Sequence, residues 1–125
     1  MWPSILAIFC GAGLGALLRA GFNFVTVSIA STLPLGTFIS NMVGGYMVGI
    51  AVAFFASNPS LSPEWKLFVI TGFLGGLTTF SSFSVEVVGF MQRGEVTWAL
   101  GTALLHLAGS LALTFLGIMT YQALK

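Results

Sequence analysis

Four long apolar stretches, separated by short polar turns, fill almost all of this 125-residue sequence. A helix rises about 1.5 Å per residue, so roughly 20 apolar residues cross the hydrocarbon core of a bilayer. The stretches fall at about residues 4–24, 35–56, 63–91 and 96–123. Hydrophobic residues make up 57% of the chain and charged residues 6%, against roughly 25% charged in soluble domains. The sequence predicts an all-α integral membrane protein, residues 1–125 forming one domain of four transmembrane helices. A net charge of +1 leaves no basic surface for nucleic acid. Met1-Trp2-Pro3-Ser4 has no charged region, and no clean small-residue cleavage site follows, so the first stretch reads as a retained helix rather than a signal peptide. Cys10 has no partner for an internal disulfide and reads as a small packing residue.

The third stretch differs from the others. Between Gly72 and Ser84 it carries three glycines and five hydroxyl residues, including the pair Gly75-Gly76. Gly costs about 1 kcal/mol against Ala inside a helix, and the stretch is too long for one straight span. These features predict a third helix broken mid-membrane. Freed backbone groups cannot turn to water there, so such a break survives only where protein or a cavity satisfies them. A half-helix N-terminus offers N–H groups and positive dipole, and unwound carbonyls offer cation ligands. That is a site for ions.

Polar residues recur on the flanking helices at helical spacing. Thr37, Asn41, Gly45 and Gly49 follow one another every fourth residue on the second, so they share a slowly slanting face. Asn41 is either interhelical glue or, through its two N–H donors, a ligand for a small dehydrated anion. Thr102, His106, Ser110 and Thr114 make a similar row on the fourth, a polar track down an apolar helix. On the first, Gly11 and Gly15 form a GxxxG pair that admits a close neighbour. Arg19, near its far end, is either an interfacial anchor or a guanidinium facing an aqueous vestibule. Turn chemistry marks Ser28 to Leu33, the run from Ser57 to Glu64, and Gln92-Arg93-Gly94-Glu95. Pro34 suits the entry to the second helix, and Ser62-Pro63-Glu64 that of the third.

With four spans, Lys66 and Lys125 lie on one side and Arg19 and Arg93 on the other. Two cations against two give the positive-inside rule nothing to act on. A chain without orientation bias inserts both ways, which allows an antiparallel, dual-topology homodimer. Two inverted copies would bring their third-helix breaks together about a two-fold axis near the midplane. Carbonyls from both could then converge on one cation.

No catalytic constellation is present, so the chain does not read as an enzyme. His106 has no carboxylate partner in sequence, Glu64 and Glu95 belong to loops, and Glu86 is the only carboxylate well inside a span. No phosphate loop or metal-ligand spacing occurs. Phe80 and Phe83 share a helix face just after the break. They are either packing residues or, through the positive edges of their rings, partners for an anion. Ring edges and an amide would bind a halide without a full charge to trap it, and conduction needs such moderate binding.

The run Gly72-Phe73-Leu74-Gly75-Gly76-Leu77-Thr78-Thr79-Phe80-Ser81-Ser82-Phe83 closely resembles the GxxGGxTTFSTF motif of the Fluc/CrcB fluoride channels, departing at Ser82, where many members have Thr. Gly11 to Arg19 is similar to the family's glycine-rich first helix ending in Arg, and Asn41-Met42-Val43-Gly44 to its second-helix Asn. The resemblance implies a fluoride-selective channel of the bacterial inner membrane, an antiparallel homodimer with two pores and a central structural Na⁺. By position it implies Phe80 and Phe83 as pore rings, Asn41 as pore amide, and Ser81, Ser110 and Thr114 as a hydroxyl track. It assigns the Na⁺ to the backbone carbonyls of Gly75 and Thr78 from both subunits. Glu86 would lie towards a vestibule, and His106 stands where the track would have a hydroxyl. In such channels HF enters in acid, ionises in the cytoplasm, and F⁻ leaves passively.

A small drug/proton antiporter also has four spans and can insert both ways. It needs a membrane-embedded carboxylate for proton coupling, and the first stretch here has none. A non-transporting assembly subunit would fit the GxxxG pairs but leaves the break and the track unexplained.

Overall fold

The computed structural model describes residues 1–29 and 34–125, all helical apart from short turns. Helix α1 covers Trp2–Ile29 and α2 Leu35–Ser57. The third apolar stretch is a composite: α3 (Pro63–Lys66), a wide π-helical coil (Leu67–Leu74), the single turn α4 (Gly75–Leu77) and, beyond Thr78-Thr79, α5 (Phe80–Gln92). Helix α6 covers Val96–Leu124. Four regions, Trp2–Ile29, Leu35–Ser57, Pro63–Gln92 and Val96–Leu124, are long and apolar enough to cross a membrane. Ser28, expected in a turn, is helical, and its hydroxyl donates to Val25 O at 2.7 Å. The rest of that expected turn falls on residues 30–33, outside the described residues.

Local chemistry sets the element ends. Ser62 precedes α3, Pro63 opens it, and the Ser62 hydroxyl donates to the Glu64 carboxylate in the first turn. The turn between α5 and α6 reverses at Gly94, whose φ of 77° lies where only glycine rests without strain. Arg93 pairs with Glu95 at 2.7 Å and its guanidinium lies over the Phe90 ring. Nothing local marks the π-helical coil. There Gly75 N–H reaches back five residues to Ile70 O, one more than an α-helix allows.

The helices pair through small residues. Helix α1 packs along the π-helical coil and α4, and α2 packs along α6. A Cβ on Gly15 would collide with the Phe73 carbonyl oxygen and lie 2.7 Å from Leu77 N. On the other pair, a Cβ on Gly49 would collide with Thr114 O. Hydrocarbon offers no hydrophobic drive between helices, so such close backbone approach supplies the packing. Leu77, Leu74 and Ala51 form the buried centre, with Phe22, Val43 and Met47 around it. Cys10, expected to pack, is exposed on the single chain.

These approaches give a first prediction. Gly15→Ala is expected to destabilise the fold by about 1–3 kcal/mol, because backbone atoms cannot yield to the methyl. Gly13→Ala, with nothing within 4 Å of the new Cβ, should leave thermal stability in detergent unchanged or slightly raised. Equal melting of both variants would mean that Gly15 does not seat α1.

Candidate functional site

Within the stretch Gly72–Ser84, the residues that depart from helical geometry are Thr78 and Thr79. Gly75 and Gly76 are helical, and a Cβ on Gly76 would collide with Ala12 O, so this glycine admits α1 rather than breaking the helix. Thr78 (φ −84°, ψ 156°) and Thr79 (φ −149°, ψ 122°) are extended. Thr79 then caps α5, its hydroxyl oxygen accepting from Ser82 N at 3.1 Å. The Thr78 hydroxyl donates back to Leu74 O at 2.8 Å.

Asn41 fills the gap from α2. Its Oδ1 accepts from Thr79 N at 2.8 Å and its Nδ2 donates to Thr79 O at 3.1 Å. One amide thus replaces both backbone partners that the extended residue lacks. The same Nδ2 lies 3.2 Å from His106 Nδ1 on α6. Of the two readings of Asn41, interhelical glue or anion ligand, these contacts are of the first kind: its Nδ2 donates to Thr79 O and lies within bonding distance of His106 Nδ1.

The aromatic residues continue from this point. The His106 ring lies against Phe83 with centroids 4.5 Å apart and planes tilted by 34°, and stands edge-on to Phe38 at 5.2 Å. Phe80 follows Phe83 at 5.6 Å, tilted by 55°, and is 78% exposed on the single chain. Around them runs an open groove of about 440 Å³ lined by no Asp, Glu, Lys or Arg, its one titratable side chain being the His106 imidazole. It gathers Asn41, Phe80, Phe83, His106 and Ser110 with Gly75 and Thr78 of the interruption.

The remaining expected residues border this groove or lie apart from it. The Thr114 hydroxyl is within bonding distance of Gly45 O (3.0 Å) and Ser110 O (2.8 Å), tying α6 to α2. Ser81 Oγ lies 3.3 Å from Thr79 Oγ1. Arg19 donates from Nε to Gly76 O at 3.1 Å and so braces α4 from α1. Glu86 accepts from the Thr37 hydroxyl at 2.5 Å, while its Oε1 is buried with no hydrogen-bond partner among the described residues. Thr79 holds the site together, yet it was absent from the expected residues. Its signal is a threonine three residues before a serine at a helix start. Among the described residues, no group of three or more His, Cys, Asp or Glu could hold a metal.

Comparison with known proteins places this arrangement. The family model described as CrcB-like protein, Camphor Resistance (CrcB), matches residues 6–118. The fluoride-specific ion channel FluC of Polynucleobacter asymbioticus is 78% identical over 125 residues, the whole of both chains. Proteins of the same name from Burkholderia thailandensis and Pseudomonas syringae pv. maculicola are 56% and 53% identical, each alignment covering 98% of this chain and 96% of the relative. A family match over most of the sequence and full-length identity of this order allow one conclusion: the chain belongs to the CrcB family.

Proposed function

We propose that this protein is a fluoride-selective channel of the bacterial inner membrane, through which F⁻ leaves the cytoplasm passively. The observation that carries the reading is the groove at Thr78-Thr79. There ring edges and neutral polar groups gather on a chain 78% identical to a protein named for fluoride conduction. A dehydrated halide needs partial positive charge to enter and the absence of fixed opposite charge to leave. Phe80 and Phe83 offer ring edges, and Ser110 a hydroxyl, along the path. Ser81 and Thr114 complete the track, and Asn41 holds its wall. Arg19 and Glu86 belong to the vestibules.

The working unit in this reading is an antiparallel homodimer with two pores, its third helices interrupted near the membrane midplane. The groove is open on one side, with Thr79, Asn41 and Ser110 along it. Polar groups facing hydrocarbon cost several kcal/mol, roughly, when uncovered. An inverted second copy would supply the missing wall.

A central Na⁺ fits the same interruption. In an intact helix the carbonyl of residue i accepts from the N–H of residue i+4. For Gly75 that donor would be Thr79 N, which donates instead to Asn41. For Thr78 it would be Ser82 N, which donates instead to Thr79 Oγ1. The two carbonyls assigned to the cation have thus lost their helical donors, and neutral oxygen ligands suit a hard monovalent ion. Bound there, held by these carbonyls, Na⁺ would supply a fixed positive charge at Thr78-Thr79.

Fluoride efflux from proteoliposomes tests the proposal. With charge balanced by a potassium ionophore, the protein is expected to release F⁻ without a proton gradient and to retain Cl⁻. Efflux only under a proton gradient would make it an antiporter, and no efflux would end the channel reading.

A further inference from the structure

We infer that His106 is itself a fluoride ligand, donating from Nε2, an inference that rests on the channel reading above. It begins at the Thr79 backbone, where N–H and C=O both meet the Asn41 amide. The backbone fixes which end of the amide is oxygen. Turned over, the amide would set N–H against N–H and oxygen against oxygen. With Nδ2 so placed, the contact to His106 Nδ1 at 3.2 Å is a hydrogen bond only if Nδ1 accepts. An accepting Nδ1 carries no proton. The imidazole is then neutral, and its one N–H is on Nε2.

That N–H has no hydrogen-bond partner among the described residues, although His106 is only 6% exposed. The residue borders the groove beside Phe83 and Ser110. Phe83 covers a ring face and Phe38 meets the ring edge-on, so the imidazole is held from the sides. The protons of Asn41, by contrast, are committed to Thr79 O and His106 Nδ1. The strongest neutral donor left beside the rings is the Nε2–H of His106. A small, hard anion is the ligand it suits, since a neutral N–H lends partial charge without an ion pair that would hold fluoride in place. Asn41 then acts through His106, by keeping the proton on the far nitrogen.

Two substitutions separate a ligand from a packing residue. His106→Phe keeps a ring against Phe83 but has no N–H. His106→Gln loses the ring but places an amide N–H near the position of Nε2. Both lose the acceptor for Asn41 and only His106→Phe keeps the ring, so a purely structural role predicts damage at least as great in His106→Gln. A ligand role predicts that fluoride efflux falls about ten- to a hundredfold in His106→Phe, the scale of a lost hydrogen bond to an ion. His106→Gln should stay within a few-fold of the parent.

Because the chain has one histidine, ¹⁵N-histidine NMR of the unaltered dimer gives a second readout that no variant's folding can confuse. A neutral ring protonated at Nε2, with that resonance shifting as NaF but not NaCl is added, supports the inference. A ring protonated at Nδ1, no fluoride-specific shift, or a loss at least as great in His106→Gln as in His106→Phe overturns it. If the parent conducts fluoride while His106→Phe matches it, only this inference fails. If the parent conducts none, the channel reading fails first and takes this one with it.

Discussion

Proteoliposomes carrying Phe80→Ile or Phe83→Ile are expected to hold their fluoride while the protein purifies as the parent does. Isoleucine preserves bulk and apolarity, so the substitution removes chiefly the ring quadrupole, whose positive edge is the property at issue. Stripping water from a small anion costs several kcal/mol, roughly, even after relaxation. If one ring edge returns about 3 kcal/mol of that, its loss slows passage about a hundredfold. The two positions also separate flux from fold. Phe80 is 78% exposed on the single chain, so its replacement removes little packing. Phe83 lies against the His106 ring, and its loss frees that imidazole as well. Phe83→Ile should therefore be at least as severe, with a modest fall in melting temperature that Phe80→Ile lacks. Parental efflux in both variants would remove the rings from the mechanism.

Turn chemistry and helix contacts were legible in the sequence because their causes are local. Ser62, Pro63 and Glu64 stand at a helix start for reasons contained in three side chains. Gly11 and Gly15 announced a close approach, and α1 meets the π-helical coil through them. The glycine pair shows where local reasoning stops. The break was read only as lying within Gly72–Ser84, ahead of Phe80; glycine serves interruption and contact alike, and at Gly76 contact with Ala12 decides. The extended residues lie just beyond the pair, where Asn41 meets Thr79. The π-helical widening over Leu67–Leu74 had no signal, since the run is apolar without a periodic marker.

The site was legible as two rows and illegible as their pairing. Asn41, Gly45 and Gly49 on α2 meet His106, Ser110 and Thr114 on α6 in register, four residues per step. Spacing could reveal each row, because it follows from the helical repeat. It could not show that the rows face one another, nor that Glu86 would meet Thr37 across 49 residues. The role of His106 depends on Asn41, 65 residues away. A donor bonded to a distant acceptor has no sequence pattern.

Asn41→Asp is expected to abolish conduction more completely than Asn41→Ala, and the contrast separates charge from geometry. The carboxylate is nearly isosteric with the amide and can still accept from Thr79 N. It cannot donate, so Thr79 O and His106 Nδ1 would each face an oxygen where they now meet N–H. Alanine loses those bonds and the acceptor for Thr79 N as well, without adding charge. If geometry alone mattered, alanine would be the more damaging change. A fixed negative charge about 4 Å from a fluoride adds repulsion of about 4 kcal/mol at the effective dielectric near a protein surface, roughly a thousandfold in occupancy. Efflux in Asn41→Asp should thus fall below detection while Asn41→Ala retains a measurable fraction. The two should elute alike on size exclusion, since neither alters the glycine contacts that join α2 to α6. Parental throughput in Asn41→Asp would show that no anion passes within reach of this side chain, and the path would then have to avoid the groove at Thr78-Thr79 altogether.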